Sequence, residues 1–172
     1  MTTDTGDTRT EHIATRETPF HFVDSGLPNI YLIGITYYKY SSGRVVAEIP
    51  AIKQLMQLIA RDLIEKPTAL SGEEIRFLRK RLGQKQVDFA KAIGIEQETL
   101  SRAENGHQQL SESNDKLIRV IYIATSVDDE HLNDLRKELL KLLTGKWHNV
   151  TQAPPKKRVA KVTNDEWQLQ AA

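Results

Sequence analysis

Cysteine is absent from the 172-residue chain, which excludes disulfides, thiolate metal sites and a cysteine nucleophile together. No apolar run approaches the ~18 residues that a membrane-spanning helix needs, and the polar N-terminus lacks the pattern of a secretory leader. These absences predict a cytoplasmic protein without membrane contact. The formal charge is only +1, so the total advertises no polyanionic partner, and any such claim rests on how charges are arranged. His12, His21, His107, His131 and His148 are scattered without ligand spacing, which argues against a metal site. The paired carboxylates Glu73-Glu74 and Asp128-Asp129 fall at expected helix starts, where the helix dipole favours them without any acid–base role. No catalytic residue, metal or cofactor is expected, and the chain does not read as an enzyme.

Hydrophobic residues make up 39% and charged residues 27%, which suits one domain or two small ones. Residues 1–18 are rich in Thr, Asp and Glu and are expected to be disordered. Residues 19–49 carry three runs dense in β-branched and aromatic residues, Phe20–Val23, Ile30–Tyr38 and Arg44–Ile49, separated by turn clusters. A three-stranded antiparallel meander follows, which needs a helix or a partner to cover it. Tyr37, Tyr38 and Tyr40 there are open to two readings, a partner surface or one face of an amphipathic strand. Ser41-Ser42-Gly43 reads as a hairpin turn. Residues 50–69 follow as a linker helix that starts at Pro50 and stops at Lys66-Pro67.

Residues 70–145 open on Ser71-Gly-Glu-Glu74, a capping-box signature. Five helices are predicted, Gly72–Leu82, Lys85–Ile93, Glu96–Glu104, Asn114–Thr125 and Asp128–Leu143, with Gly83, Gly94, Gly106 and Gly145 at their ends. Residues 146–172 are polar, with Lys156-Lys-Arg158, and are expected to be a flexible tail.

The informative stretch runs from Gln86 to Gly106. Phe89 and Ile93 share one face of a short helix, Ile95 and Leu100 face the same core, and Ala90 is small enough for two helices to cross closely. Gly94 allows the chain to reverse between them. The second helix is left with an outward row of Gln97, Glu98, Ser101 and Arg102, which the core does not need. Arg binds guanine bidentately, Gln binds adenine and Glu accepts from cytosine. For Glu98 a plain role as a helix-start charge stands beside base contact. Gln86 is placed to touch a phosphate, with Lys85 beside it. Arg76, Arg79, Lys80 and Arg81 either flank a duplex or pair with Glu73 and Glu74.

The pattern Gln86-x-x-Phe-Ala-x-x-Ile-Gly-Ile-x-x-x-Thr-Leu-Ser-Arg-x-Glu-Asn-Gly106 resembles the phage-repressor-like (XRE/Cro) helix-turn-helix family. The resemblance implies a lambda-repressor-like fold, a phosphate contact at Gln86 and base contacts from the second helix. The candidate DNA-binding set is Lys85, Gln86, Gln97, Glu98, Thr99, Ser101 and Arg102. Glu96 stands where the family has a Ser or Thr cap, and Ala103 where it has a larger apolar residue.

A narrower resemblance runs from about Phe20 to Ile123. Asp24-Ser-Gly-Leu-Pro-Asn-Ile-Tyr-Leu, Ile49-Pro50 and Leu70-Ser-Gly-Glu-Glu-Ile-Arg-Phe-Leu-Arg79 are similar to MqsA-type (YgiT-like) antitoxins. It implies a toxin-contacting N-terminal domain and autoregulation of an operon. Tyr40-Ser-Ser-Gly43 stands where those relatives carry Cys-x-x-Cys, so no thiolate zinc site forms. The expectation is an α+β protein: a small N-terminal antiparallel sheet, a linker helix and an all-α five-helix helix-turn-helix domain. Its expected partners are double-stranded operator DNA, a second copy in a homodimer, and a toxin at the β unit. The dimer surface is expected on Leu117, Ile118, Ile121, Leu135, Leu139, Leu140 and Leu142. A regulator with no toxin partner is the alternative.

Overall fold

A computed structural model describes residues 7–126, 137 and 156–170. The chain divides into two units, Met1–Ile59 with Pro155–Ala172, and Ala60–Pro154. The division falls inside the first helix, where a linker was expected.

The first unit holds seven strands, β1 (Arg9–Ile13), β2 (Phe20–His21), β3 (Ile30–Ile33), β4 (Thr36–Tyr40), β5 (Val45–Glu48), β6 (Arg158–Thr163) and β7 (Glu166–Gln170). They form two sheets, β1-β4-β5 and β2-β3-β6-β7, where the sequence predicted a single meander. The apolar run from Ile30 to Tyr38 is not one strand. It breaks at Gly34, whose φ of +83° suits glycine. A Cβ at Gly34 would also lie 2.7 Å from the Val162 carbonyl oxygen. The chain thus leaves one sheet at Ile33 and enters the other at Thr36.

Two further expectations give way. The polar N-terminal stretch supplies β1, which pairs antiparallel with β4. The polar C-terminal stretch supplies β6, parallel to β3, and β7, antiparallel to β6. Their inward residues Ala160, Val162 and Trp167 are buried with Phe22, Ile30 and Leu32. The Trp167 indole donates to the Pro50 carbonyl at 2.8 Å. Alternation supplies the burial here, even though the segment is polar on average.

The β1-β4-β5 sheet is different, because none of its strand residues is buried. Arg9 lies over the Tyr38 ring at 4.5 Å, Lys39 over Tyr37 at 5.9 Å and Arg44 over Tyr40 at 4.2 Å. The β4–β5 turn is tied by Asp7, which accepts from Ser41 Oγ at 2.8 Å, Ser42 N at 3.0 Å and Ser42 Oγ at 2.9 Å. Those hydrogen bonds, from Ser41 first and then Ser42, hold the Asp7 carboxyl below the ordinary carboxylate range.

The helices are α1 (Ile52–Glu65), α2 (Gly72–Arg81), α3 (Gln86–Ala92), α4 (Gln97–Glu104) and α5 (Glu112–Ser126). Four of the five helices predicted beyond residue 70 are therefore present. The fifth, Asp128–Leu143, lies outside the described residues apart from Lys137, as do His131, His148, Gly145 and the dimer candidates Leu135, Leu139, Leu140 and Leu142. No described helix is long and apolar enough to cross a membrane. The second unit is organised by one fully buried cation. Arg119 on α5 donates Nε to Asp115 at 2.7 Å, and its Nη atoms donate to the carbonyls of Leu63, Ile64, Lys66 and Thr68. Asp115 accepts in turn from the Leu70 amide at 2.6 Å. The end of α1 and the connector to α2 thus have their unpaired carbonyls satisfied by a side chain of α5. Burial pulls the Arg119 pKa down, and Asp115 opposes that pull.

Asp115→Ala is expected to cost about 3–5 kcal/mol in the helical unit, because the buried guanidinium is left uncompensated. Urea denaturation followed by circular dichroism checks it; a loss below about 1 kcal/mol would rule out this role for the pair.

Candidate nucleic-acid interface

The Gln86–Gly106 segment forms from local rules. At Gly94 the backbone turns with φ +71°; the Gly94 amide donates to the Lys91 carbonyl at 3.1 Å and Ile95 to Ala90 at 3.0 Å. This pairing closes α3 and starts α4 two residues later. Phe89, Ala90, Ile93, Leu100 and Ala103 are buried, so α3 and α4 seal on each other as their spacing predicts. Glu96 is the N-cap residue of α4 and makes no side-chain cap, in line with its departure from the Ser or Thr pattern.

Helix α2 begins with the predicted capping box: Ser71 Oγ accepts from the Glu74 amide, and the Glu74 carboxylate accepts from the Ser71 amide at 2.8 Å. Glu74 also pairs with Lys66. The next residue, Gly72, has no room for a side chain, since a Cβ there would lie 2.3 Å from the Ala103 carbonyl oxygen. The start of α2 therefore rests directly on the end of α4.

A second buried charge fixes that contact. The Glu104 side chain is 1% exposed and accepts from Arg79 at 2.6 Å (Nε to Oε1) and 2.8 Å (Nη2 to Oε2), a bidentate pair. Its Oε2 also accepts from Gln86 Nε2 at 3.0 Å. Arg76 donates to the Glu104 carbonyl at 2.9 Å and to Asn105 Oδ1 at 2.6 Å. One carboxylate thus binds α2, α3 and α4 together. Pairing with Glu104 raises the Arg79 pKa further.

The predicted residues divide accordingly. Gln97, Glu98 and Arg102 are exposed on α4, and Thr99 and Ser101 are half-buried. Glu98 and Arg102, and Gln97 and Ser101, are one helical turn apart, so these four form a single polar row. Lys85 is the exposed N-cap residue of α3. Gln86 is half-buried, with one N–H of its side-chain amide donated to Glu104. The basic cluster on α2 is for the most part engaged within the fold, and not with Glu73. Arg76 and Arg79 serve Glu104, Arg81 donates to the Tyr122 hydroxyl at 3.2 Å, and only Lys80 is fully exposed.

Sequence reasoning missed Glu104. Its signal was available: Leu100, Ala103 and Glu104 share the three- and four-residue spacing of the buried stripe, which puts a carboxylate in the core opposite an arginine-rich helix. Among the described residues, no group of three or more His, Asp or Glu gathers to hold a metal ion.

A family model described as helix-turn-helix matches residues 75–114, which covers α2 from Ile75 onward, α3, α4 and the start of α5. Residues 75–114 are thus similar to helix-turn-helix segments of the XRE type, which occur in DNA-binding transcriptional regulators. No curated protein and no solved structure matches the chain.

Glu104→Ala is expected to cost about 3–5 kcal/mol by leaving Arg79 buried and unpaired, whereas Lys80→Ala should stay within about 0.5 kcal/mol. Thermal unfolding of both variants checks the contrast; equal losses would remove Glu104 from its central place.

Proposed function

We propose that this protein is a cytoplasmic, sequence-specific transcriptional repressor that binds operator DNA as a homodimer through α4. One observation carries the reading: α4 is held from behind by Glu104, while its outer row of Gln97, Glu98, Ser101 and Arg102 makes no contribution to the core. A helix fixed on one side and polar on the other fits the major groove, where Arg and Gln distinguish base pairs bidentately. Thr99 and Ser101, shorter and half-buried, suit the groove wall. Lys85 and Gln86, at the start of α3, suit the backbone, where contacts position the helix without reading sequence. One N–H of the Gln86 amide goes to Glu104, which orients the side chain, and its second N–H is the one that suits a phosphate.

One helix reads few base pairs, so adequate specificity calls for two copies on a palindrome. In this reading repression follows from occupancy, with the operator overlapping the promoter of the protein's own operon. The likeness to MqsA-type antitoxins makes the finer reading an autoregulatory antitoxin whose β unit holds a toxin. The exposed β1-β4-β5 sheet leaves a surface for it. A regulator without a toxin is favoured by the β4–β5 turn, where Asp7 and two serines tie the chain at the place where those relatives carry zinc-binding cysteines. Co-expression with the adjacent open reading frame separates the two: neutralisation of a toxic product supports the antitoxin, and its absence the stand-alone regulator.

Selection of bound sequences from random DNA should yield a palindrome with half-sites a helical turn or a multiple apart. On that site Arg102→Ala is expected to lose about 1–3 kcal/mol and to relax preference at one position per half-site, while Lys85→Ala weakens all sequences alike and lowers the salt slope by about 1. Fluorescence anisotropy at several salt concentrations reads both. Undiminished specificity in Arg102→Ala would overturn the assignment of the reading face.

A further inference from the structure

The outer edge of β5 combines three properties. It is an edge strand, its valines Val45 and Val46 are 47% and 41% exposed, and, although short and entered through a bulge at Gly43, it carries no proline or lysine of the kind that usually blunts such an edge. The phase of its hydrogen bonds is fixed. The Tyr40 amide donates to the Arg44 carbonyl at 2.9 Å, and the register continues with Tyr38 opposite Val46 and Thr36 opposite Glu48. Hydrogen-bonded and non-hydrogen-bonded pairs alternate along an antiparallel ladder. The main-chain groups of Arg44, Val46 and Glu48 therefore serve β4, and those of Val45 and Ala47 point out of the sheet. Among the described residues, no strand takes them.

We propose that this edge pairs with the β5 edge of a second copy, antiparallel about a two-fold axis at Val46, to form a continuous six-stranded sheet. The sequence Arg44-Val-Val-Ala-Glu48 is self-complementary in that one register. Val45 then lies opposite Ala47 of the second copy in a hydrogen-bonded pair, as their outward groups require. Arg44 lies opposite Glu48 of the second copy, twice by symmetry, in non-hydrogen-bonded pairs where side chains approach closest. Shifting the register by two residues in either direction sets Val46 against a charge and leaves both Arg44 and Glu48 without an opposite charge across the strand pair. The Arg44 guanidinium lies over Tyr40 and 3.7 Å from Asp7, and its side chain, 62% exposed, has room to turn from there to this contact. A strand of this length falls short of the ~800 Å² per partner of a standard interface, so the contact is weak by itself and adds to whatever else joins the copies. It does not depend on DNA binding, and its test uses none.

The chain has no cysteine, so Val46→Cys introduces a single thiol at the axis. A non-hydrogen-bonded pair sets the two Cα atoms about 4.5 Å apart, inside the roughly 4.4–6.8 Å that a disulfide spans. Under mild oxidation, full-length Val46→Cys is expected to form disulfide-linked dimer at least about tenfold faster than Val87→Cys, an exposed valine on α3 that reports random collision. Ala47→Pro in the Val46→Cys background should abolish the difference by removing an outward N–H, with circular dichroism unchanged. Glu48→Arg should slow the cross-link about tenfold by setting like charges opposite each other, and mixing it with an Arg44→Glu chain should restore it. Equal cross-linking at Val46 and Val87, or indifference to Ala47→Pro, overturns the proposal and assigns the contact to another surface or the edge to a different protein.

Discussion

A carboxylate removed from water is costly unless donors and opposite charge replace the water, and Glu104 has both: three hydrogen bonds from Arg79 and Gln86, and the Arg76 guanidinium 3.7 Å away. The angle and depth of α4 follow from that demand. Apolar contacts among Phe89, Leu100 and Ala103 would tolerate small slips, since dispersion and hydrophobic burial are not directional. A bidentate guanidinium does not tolerate them. The helix that presents Gln97 and Arg102 is thus positioned by charge, and its adhesion comes from the apolar side. The same demand explains why the arginines of α2 are not spread over the surface as a phosphate-binding stripe.

Arg119 repeats the principle with the sign reversed. There a buried cation satisfies main-chain carbonyls at the end of α1 and in the connector, and Asp115 neutralises it while holding the Leu70 amide. Leu70 directly precedes the Ser71 cap, so the entry to α2 is fixed from α5 on one side and from the end of α4 at Gly72 on the other. A net charge near zero gives no sign of this arrangement, because opposite charges meet in both clusters, largely inside the fold.

The helices were legible because their determinants are local. The Ser71–Glu74 box, the turn at Gly94 and the spacing of Phe89, Ile93 and Leu100 all lie within a few residues of the structure they specify. The exposed row on α4 was legible for the same reason. The sheets were not. β1 and β6 lie in segments rich in Thr, Glu and Lys, and only partners far along the chain turn their alternation into strands: Ile30 opposite Arg158, Arg9 opposite Tyr40. The break at Gly34 was hidden by apolar residues on both sides of it. Glu104 fell between these cases, since its spacing placed it in the core while its chemistry suggested the surface.

The parallel pairing of β3 with β6 makes the helical unit an insertion within the β unit, with more than a hundred residues between the two strands. During synthesis the helices emerge, and are able to fold, before the strand that completes the four-stranded sheet has been made. Until then β3 has only the short β2 beside it, and its apolar edge is open to any other extended chain. The order of translation therefore gives this molecule a finished helical module and, for a time, an unfinished sheet.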